Sequence, residues 1–154
     1  MSESVWDYPR PPALEPVRRR VCIELGGVTI VDSTAALRVL ETSHPPTIYV
    51  PPGDVRAGVL SSGRGRSLCE WKGQATYLDV GAGGRHEERA AWTYRAPAKR
   101  YAALRDHVSF YPSRMDACWL GDERVAAQEG DFYGGWVTPD VRGPFKGGPG
   151  TRGW

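Results

Sequence analysis

The stretch Val21-Cys22-Ile23-Glu24-Leu25-Gly26-Gly27-Val28-Thr29-Ile30-Val31 decides the fold. Apolar and polar residues alternate up to Leu25, two glycines follow, and a β-branched run resumes at Val28. Period-two alternation on either side of a two-residue glycine turn predicts a β-hairpin. The same signature continues outward in shorter pieces. Thr47-Ile48-Tyr49-Val50 reads as a strand, while residues 34–41 suit a helix by type although Leu37, Val39 and Glu41 alternate. The break at Thr42-Ser43-His44-Pro45-Pro46 favours a second hairpin over a helix. Four more strands are expected over 75–80, 89–95, 107–111 and 117–120, the last joined by a Gly121-Asp122 turn to Arg124-Val125. A helical turn is expected within 54–60, a small polar loop over 61–67 and a short helical connector over 99–107. The whole reads as mainly β: compact antiparallel sheets forming a small sandwich or tent, with one or two short helical connectors.

Composition bounds what such a domain does. A chain of 154 residues fits a single domain. No apolar run approaches the roughly 20 residues that a membrane span needs, so no membrane partner is expected. The start Met1-Ser2-Glu3-Ser4-Val5-Trp6-Asp7 has neither a basic head nor an apolar stretch, which gives a cytoplasmic expectation. A formal charge of +2 with scattered basic residues argues against nucleic acid. Cys22, Cys69 and Cys118 are odd in number and far apart, and His44, His86 and His107 form no paired motif. Neither set has the close ligand pairs of a structural metal site, so no metal is expected. No motif requires a cofactor, and its identity stays unknown.

Both ends differ from the centre. Residues 1–16 form an extended, proline-stiffened arm containing Trp6 and Tyr8, and 17–127 form the mainly β core. Residues 128–154 are glycine-rich yet carry Phe132, Tyr133, Trp136, Phe145 and Trp154. Flexible linkers lack such an aromatic load, so both arms are expected to dock on the core as lid, interface or cover.

Strand alternation sorts side chains by face. Leu78 and Val80 should face the core, with Tyr77 and Asp79 opposite. Trp92 and Tyr94 should share a face, and Tyr49 should point away from Ile48 and Val50. Glu41 would end the Leu37 and Val39 face as a partly buried carboxylate in want of a partner, which Lys72 or an aromatic hydroxyl can supply. Together Glu41, Tyr49, Cys69, Lys72, Tyr77, Trp92, Tyr94 and Tyr111 form one candidate polar-aromatic pocket. Glu41, Lys72 and Tyr111 are its catalytic candidates; Tyr49, Cys69, Tyr77, Trp92 and Tyr94 are its ligand-binding ones. Glu41 is placed to act as a general base or to hold Lys72. Lys72 is suited to a carboxylate or phosphate, or to nucleophilic attack if burial lowers its pKa. The alternative is a core ion pair packed in aromatics. Cys69 is either a nucleophile activated by nearby charge or a buried, inert thiol. His44 is either a general acid near Glu41 or an exposed turn residue. The tail 143–151 invites a phosphate-loop reading, but its lysine precedes the glycines and its prolines remove donors.

The run Gly27-Val28-Thr29-Ile30-Val31-Asp32-Ser33, then Leu40-Glu41-Thr42, Pro45-Pro46 and Tyr49-Val50-Pro51, resembles the family catalogued as domain of unknown function 427. So do Asp54-Val55, Cys69 with Lys72-Gly73 and Tyr77, Ala91-Trp92-Thr93-Tyr94 with Pro97, and Phe110-Tyr111. The resemblance covers about residues 17–127; where Trp71 stands the family more often carries Phe. It implies a small, mainly β domain, sometimes carried under a nucleotidyltransferase label, here in an extended form with aromatic arms. Three functional expectations follow. The first is a small-molecule enzyme or binding protein for an anionic or aromatic ligand. The second is a self-associating or partner-binding module, a homo-oligomer for instance, built on the aromatic arms. The third is a nucleotide-handling enzyme.

Overall fold

The computed structural model describes residues 2–130 and 132–154; Met1 and Asp131, one in each arm, lie outside the described residues. The strands are β1 (Glu3–Ser4), β2 (Ala13–Pro16), β3 (Val21–Leu25), β4 (Val28–Ser33), β5 (Leu37–Leu40), β6 (Thr47–Tyr49), β7 (Leu60–Cys69) and β8 (Gly73–Ala82). They continue as β9 (Arg85–Thr93), β10 (Val108–Phe110), β11 (Ala117–Leu120), β12 (Glu123–Arg124), β13 (Ala126–Ala127), β14 (Trp136–Val137) and β15 (Val141–Arg142). Helical backbone among the described residues is confined to 3-10 segments at Val5–Asp7, Pro52–Asp54, Lys99–Leu104 and Pro112–Arg114. Among the described residues no helix is long and apolar enough to cross a membrane. The fold is mainly β, built from several mostly antiparallel sheets.

The opening hairpin forms as its alternation requires. β3 pairs antiparallel with β4, and Gly26 and Gly27 turn the chain at φ of 60° and 75°. Both angles lie in the left-handed region that glycine enters without cost. Gly26 has a second reason to lack a side chain, because a Cβ there would sit 2.2 Å from the carbonyl oxygen of Ala82. The turns of the β3–β4 and β8–β9 hairpins therefore press tip to tip, which ties the sheet β12-β11-β3-β4 to the sheet β10-β9-β8-β7. The second hairpin also forms, with β5 paired to β6 and Leu37 opposite Tyr49.

Two local expectations are corrected. Residues 61–67 are not a loop but lie within β7, an edge strand paired with β8. Its Ser and Arg side chains are largely exposed, so the strand is held by its backbone ladder and leaves no hydrophobic alternation in the sequence. The helical turn expected within 54–60 occurs earlier, at Pro52–Asp54.

The sheet β10-β9-β8-β7 is apolar on both faces. On one, Leu78, Val80 and Phe110 join Ile23, Leu25, Ile48 and Val50 in the main core. On the other, Tyr77, Trp92, Tyr94 and Tyr111 join Val39, Tyr49 and Leu104 in a second, aromatic cluster. The alternation of Tyr49 against Ile48 and Val50, and of Tyr77 against Leu78 and Val80, is thus realised as two separate apolar layers. Both arms lie against these layers. Trp136 is fully buried in the main core, its indole N–H donating to the Phe110 carbonyl at 3.3 Å and its backbone N–H to the Pro46 carbonyl at 2.8 Å. Burying an indole in this way contributes about 3 kcal/mol. β1 pairs with β15, and the Trp6 indole donates to the Pro144 carbonyl at 2.8 Å, so the two arms also hold each other.

Candidate functional site

The aromatic face of the β10-β9-β8-β7 sheet opens into a cavity of about 360 Å³. All eight residues singled out from the sequence line it: Glu41, Tyr49, Cys69, Lys72, Tyr77, Trp92, Tyr94 and Tyr111. They arrive from separate elements. Tyr77 on β8 stands directly opposite Trp92 on β9, and such cross-strand neighbours share a face. Tyr49 comes from β6, and Glu41 follows β5 on the face of Leu37 and Val39. Cys69 ends β7, and Lys72 sits in the turn before β8, where Gly73 adopts φ of 111°. That turn removes the obstacle of strand alternation and lets residues 69 and 72 line one space. The Ala98 N–H donates to the Lys72 carbonyl at 2.8 Å and pins the turn against the chain after β9.

The rings form a continuous wall. Trp92 meets Tyr111 with centroids 4.7 Å apart and Tyr49 at 6.0 Å, edge to face. The Trp92 indole donates to the Tyr49 hydroxyl at 3.1 Å, and Tyr94 lies beyond Tyr49 at 6.2 Å. Burial pushes the phenols of Tyr49, Tyr94 and Tyr111 above the ordinary tyrosine value, so all three are neutral at physiological pH. The Tyr111 hydroxyl donates to the Phe132 carbonyl at 2.8 Å, so it clasps the C-terminal arm.

Lys72 is the electrostatic centre. Its residue is 7% exposed, its ammonium lies 5.9 Å from the centre of the Tyr94 ring, and no carboxylate among the described residues approaches within 4.0 Å. Burial opposes its charge, but the Tyr49, Cys69 and Glu41 groups together favour it by more, and its pKa lies above the ordinary lysine value. The side chain is therefore an ammonium, and the direction of the shift opposes the nucleophilic-amine role. Beside it, the Trp71 indole N–H is buried without a hydrogen-bond partner. A buried donor left unpaired costs about 1–3 kcal/mol.

The expected Glu41–Lys72 ion pair is not formed. Glu41 instead lies 3.9 Å from Arg10 and 3.8 Å from His44 Nε2. His44 is not an exposed turn residue. Ser43, at φ of 72°, folds the chain so that the His44 N–H donates to the Glu41 carbonyl, and the imidazole is mostly buried. Burial, then the charges of Lys146, Arg10 and Lys72, pull its pKa from 6.5 to about 4. A neutral ring makes the Glu41 contact something other than an ion pair. Gln128 Nε2 donates to Nδ1 at 3.3 Å, which assigns the ring proton to Nε2, facing Glu41.

The remaining wall was missed as a site. Phe132, Tyr133, Gly134 and Lys146 of the C-terminal arm complete the cavity. Tyr133 packs edge-on against His44 at 4.7 Å, and the Lys146 ammonium lies 5.4 Å from the Tyr133 ring centre. The arm's aromatic load signalled that it docks but not where. The glycines of the tail do not cradle an open space: the Gly147 N–H donates to Thr151 Oγ1 at 2.9 Å, and a Cβ at Gly147 would overlap the Glu129 carbonyl. Among the described residues no cluster of three His, Cys, Asp or Glu is placed to hold a metal ion.

A mainly β domain with an aromatic cavity built round a buried lysine, unpaired within 4.0 Å among the described residues, is the class that the fold and the site define. Matching a family model over residues 13–121, the chain belongs to the family described as Domain of unknown function (DUF427) and labelled NTP_transf_9. No curated protein matches it. The matched region ends before residue 128, so Phe132, Tyr133, Gly134 and Lys146 line the cavity from outside it.

Proposed function

We propose that this protein binds a small organic anion, with the charged group at Lys72 and an apolar or aromatic body against Tyr49, Trp92, Tyr94 and Tyr111. The observation that carries the reading is the Lys72 ammonium, buried in an aromatic cavity with no carboxylate within 4.0 Å among the described residues. Structural lysines at such depth are almost always paired, because an unpaired buried charge is costly. A ligand carboxylate or phosphate supplies the missing partner. Cavities of this size take drug-like or smaller ligands and combine apolar walls with a few polar groups. Glu41 with the Nε2–H of His44 offers a proton acceptor and a donor at another wall, which is the part of the site best suited to chemistry on a bound molecule. Three unpaired cysteines accord with a reducing, cytoplasmic setting.

The test is native mass spectrometry and calorimetric titration of the full chain with small aromatic carboxylates, comparing wild type with Lys72→Met. A charge-assisted hydrogen bond is worth about 1.5–3 kcal/mol, so Lys72→Met should weaken binding by about tenfold to a hundredfold with the fold retained by circular dichroism. Binding indifferent to Lys72→Met would refute the assignment, and collapse of the fold in both Lys72→Met and Lys72→Gln would make the residue structural. A second reading, self-association, is favoured by the exposed Leu68, Phe132 and Trp6. A monomeric native mass at micromolar concentration would remove it.

A further inference from the structure

Lys72 is not the cavity's only cation. Lys146 lines the same space from the C-terminal arm, outside the matched family region. Its backbone is held at both polar groups: the N–H donates to the Ser43 carbonyl at 2.8 Å, and the carbonyl accepts from Gln128 Nε2 at 2.6 Å. The side chain is thus the free part of a fixed residue. Its ammonium rests against the Tyr133 ring, and no carboxylate among the described residues lies within 4.0 Å. Of the carboxylates lining the cavity, Glu41 already has Arg10 beside it, and Glu70 belongs to an exposed residue of the β7–β8 turn. His44 senses the resulting surplus, its imidazole kept neutral by burial and by Lys146, Arg10 and Lys72. Two ammonium groups sharing so small a space repel each other, and a single negative charge neutralises only one of them. A phosphate monoester carries close to two charges and three acceptor oxygens at neutral pH.

Resting on the anion-binding reading above, we propose that the ligand is the phosphate monoester of a planar aromatic ring, its dianionic head shared by Lys72 and Lys146 and its ring laid against Trp92 and Tyr111. The family core supplies one cation and this chain's arm the second. Lys146 is therefore the residue that selects doubly charged over singly charged ligands.

The experiment is calorimetric titration of the full chain at pH 8, where the phosphate is fully ionised, with phenyl phosphate, benzoate and inorganic phosphate. Wild type should bind phenyl phosphate at least about tenfold tighter than benzoate, and inorganic phosphate more weakly than phenyl phosphate. Lys146→Met should bring the phenyl phosphate to benzoate ratio close to one while benzoate affinity stays nearly constant. The hydrogen bonds of Lys146 to Ser43 and Gln128 are made by its backbone, so the substitution leaves them in place; Lys146→Gln repeats the test with a polar side chain. Benzoate bound through Lys72 with no preference for phenyl phosphate, or a ratio unchanged in both Lys146 variants, overturns the dianion assignment and leaves the anion reading standing. Inorganic phosphate binding as tightly as phenyl phosphate overturns the role of the ring. Failure of both aromatic anions to bind overturns the anion reading itself, and this inference with it.

Discussion

Gly134 is where the C-terminal arm comes closest to the aromatic wall, and replacing it by alanine tests whether the arm is truly seated there. A Cβ at residue 134 would lie 2.4 Å from Trp92 Cη2, 2.6 Å from Cζ3 and 3.3 Å from Tyr111 Cδ1. Ordinary contact begins near 3.4 Å, so the indole or the arm must yield by about 1 Å. Neither is free to do so. The Trp92 indole is hydrogen-bonded to Tyr49, and on the arm the Gly135 N–H donates to Gln128 Oε1 at 3.1 Å and the Trp136 N–H to Pro46. Gly134 is not in the left-handed backbone region, so the cost is steric alone. Forcing one methyl into a filled space costs about 1–3 kcal/mol. For a domain of this size that lowers the melting temperature by about 3–10 °C. Thermal unfolding by circular dichroism gives the stability, and the Trp92 indole ¹⁵N resonance, assigned with Trp92→Phe, reports the local shift. Gly53→Ala, which points into open space, serves as the control and should cost nothing. A Gly134→Ala protein that melts within about 1 °C of wild type, with its Trp92 resonance unmoved, would refute the seating of the arm on this wall.

Three further outcomes are expected. Unfolded His44 takes up a proton near 6.5 and the folded residue only near 4, so the unfolded chain holds more protons between those values. The stability this residue gives is complete above pH 6.5 and is lost as pH falls towards 4, by on the order of 3 kcal/mol at about 1.4 kcal/mol per pH unit; urea unfolding at pH 7 and 4.5 should show a flatter dependence in His44→Gln, and an identical slope would refute its burial as a neutral ring. Gln128→Leu removes the partners of the Lys146 carbonyl and the Gly135 N–H, and two orphaned backbone groups should cost about 2–4 kcal/mol in urea unfolding; an unchanged midpoint would show that the arm is not anchored through this residue. Burial pushes the Cys118 thiol well above its ordinary pKa, so iodoacetamide on the native protein should label Cys22 and Cys69 and spare Cys118, as peptide mapping will show. Labelling of Cys118 at the same rate would contradict its position inside β11.

Local pattern carried most of the core. The hairpin through Gly26-Gly27 was legible because alternation and a glycine turn coincide, and Tyr49, Tyr77 and Trp92 because each sits on a strand whose other face packs into the main core. β7 escaped notice because an edge strand held by its backbone needs no apolar side chains, and Ser61 to Ser67 offers none. The partner of Glu41 was misjudged for a different reason. Arg10 reaches it from the N-terminal arm and His44 from a turn set by the left-handed Ser43, and neither event leaves a periodic trace. The arm's share of the cavity depends on contacts such as Lys146 with Ser43, far apart along the chain, and composition predicts docking without saying where.

The two-faced sheet makes neighbouring residues independent in a useful way. Along β8, Tyr77 belongs to the cavity and Leu78 to the core, one residue and half a sheet thickness apart. A substitution that reshapes the cavity wall therefore need not disturb the packing that keeps the domain folded, and the reverse holds as well. Evolution can retune the shape of such a cavity one position in two, with the alternate positions standing guard over the fold.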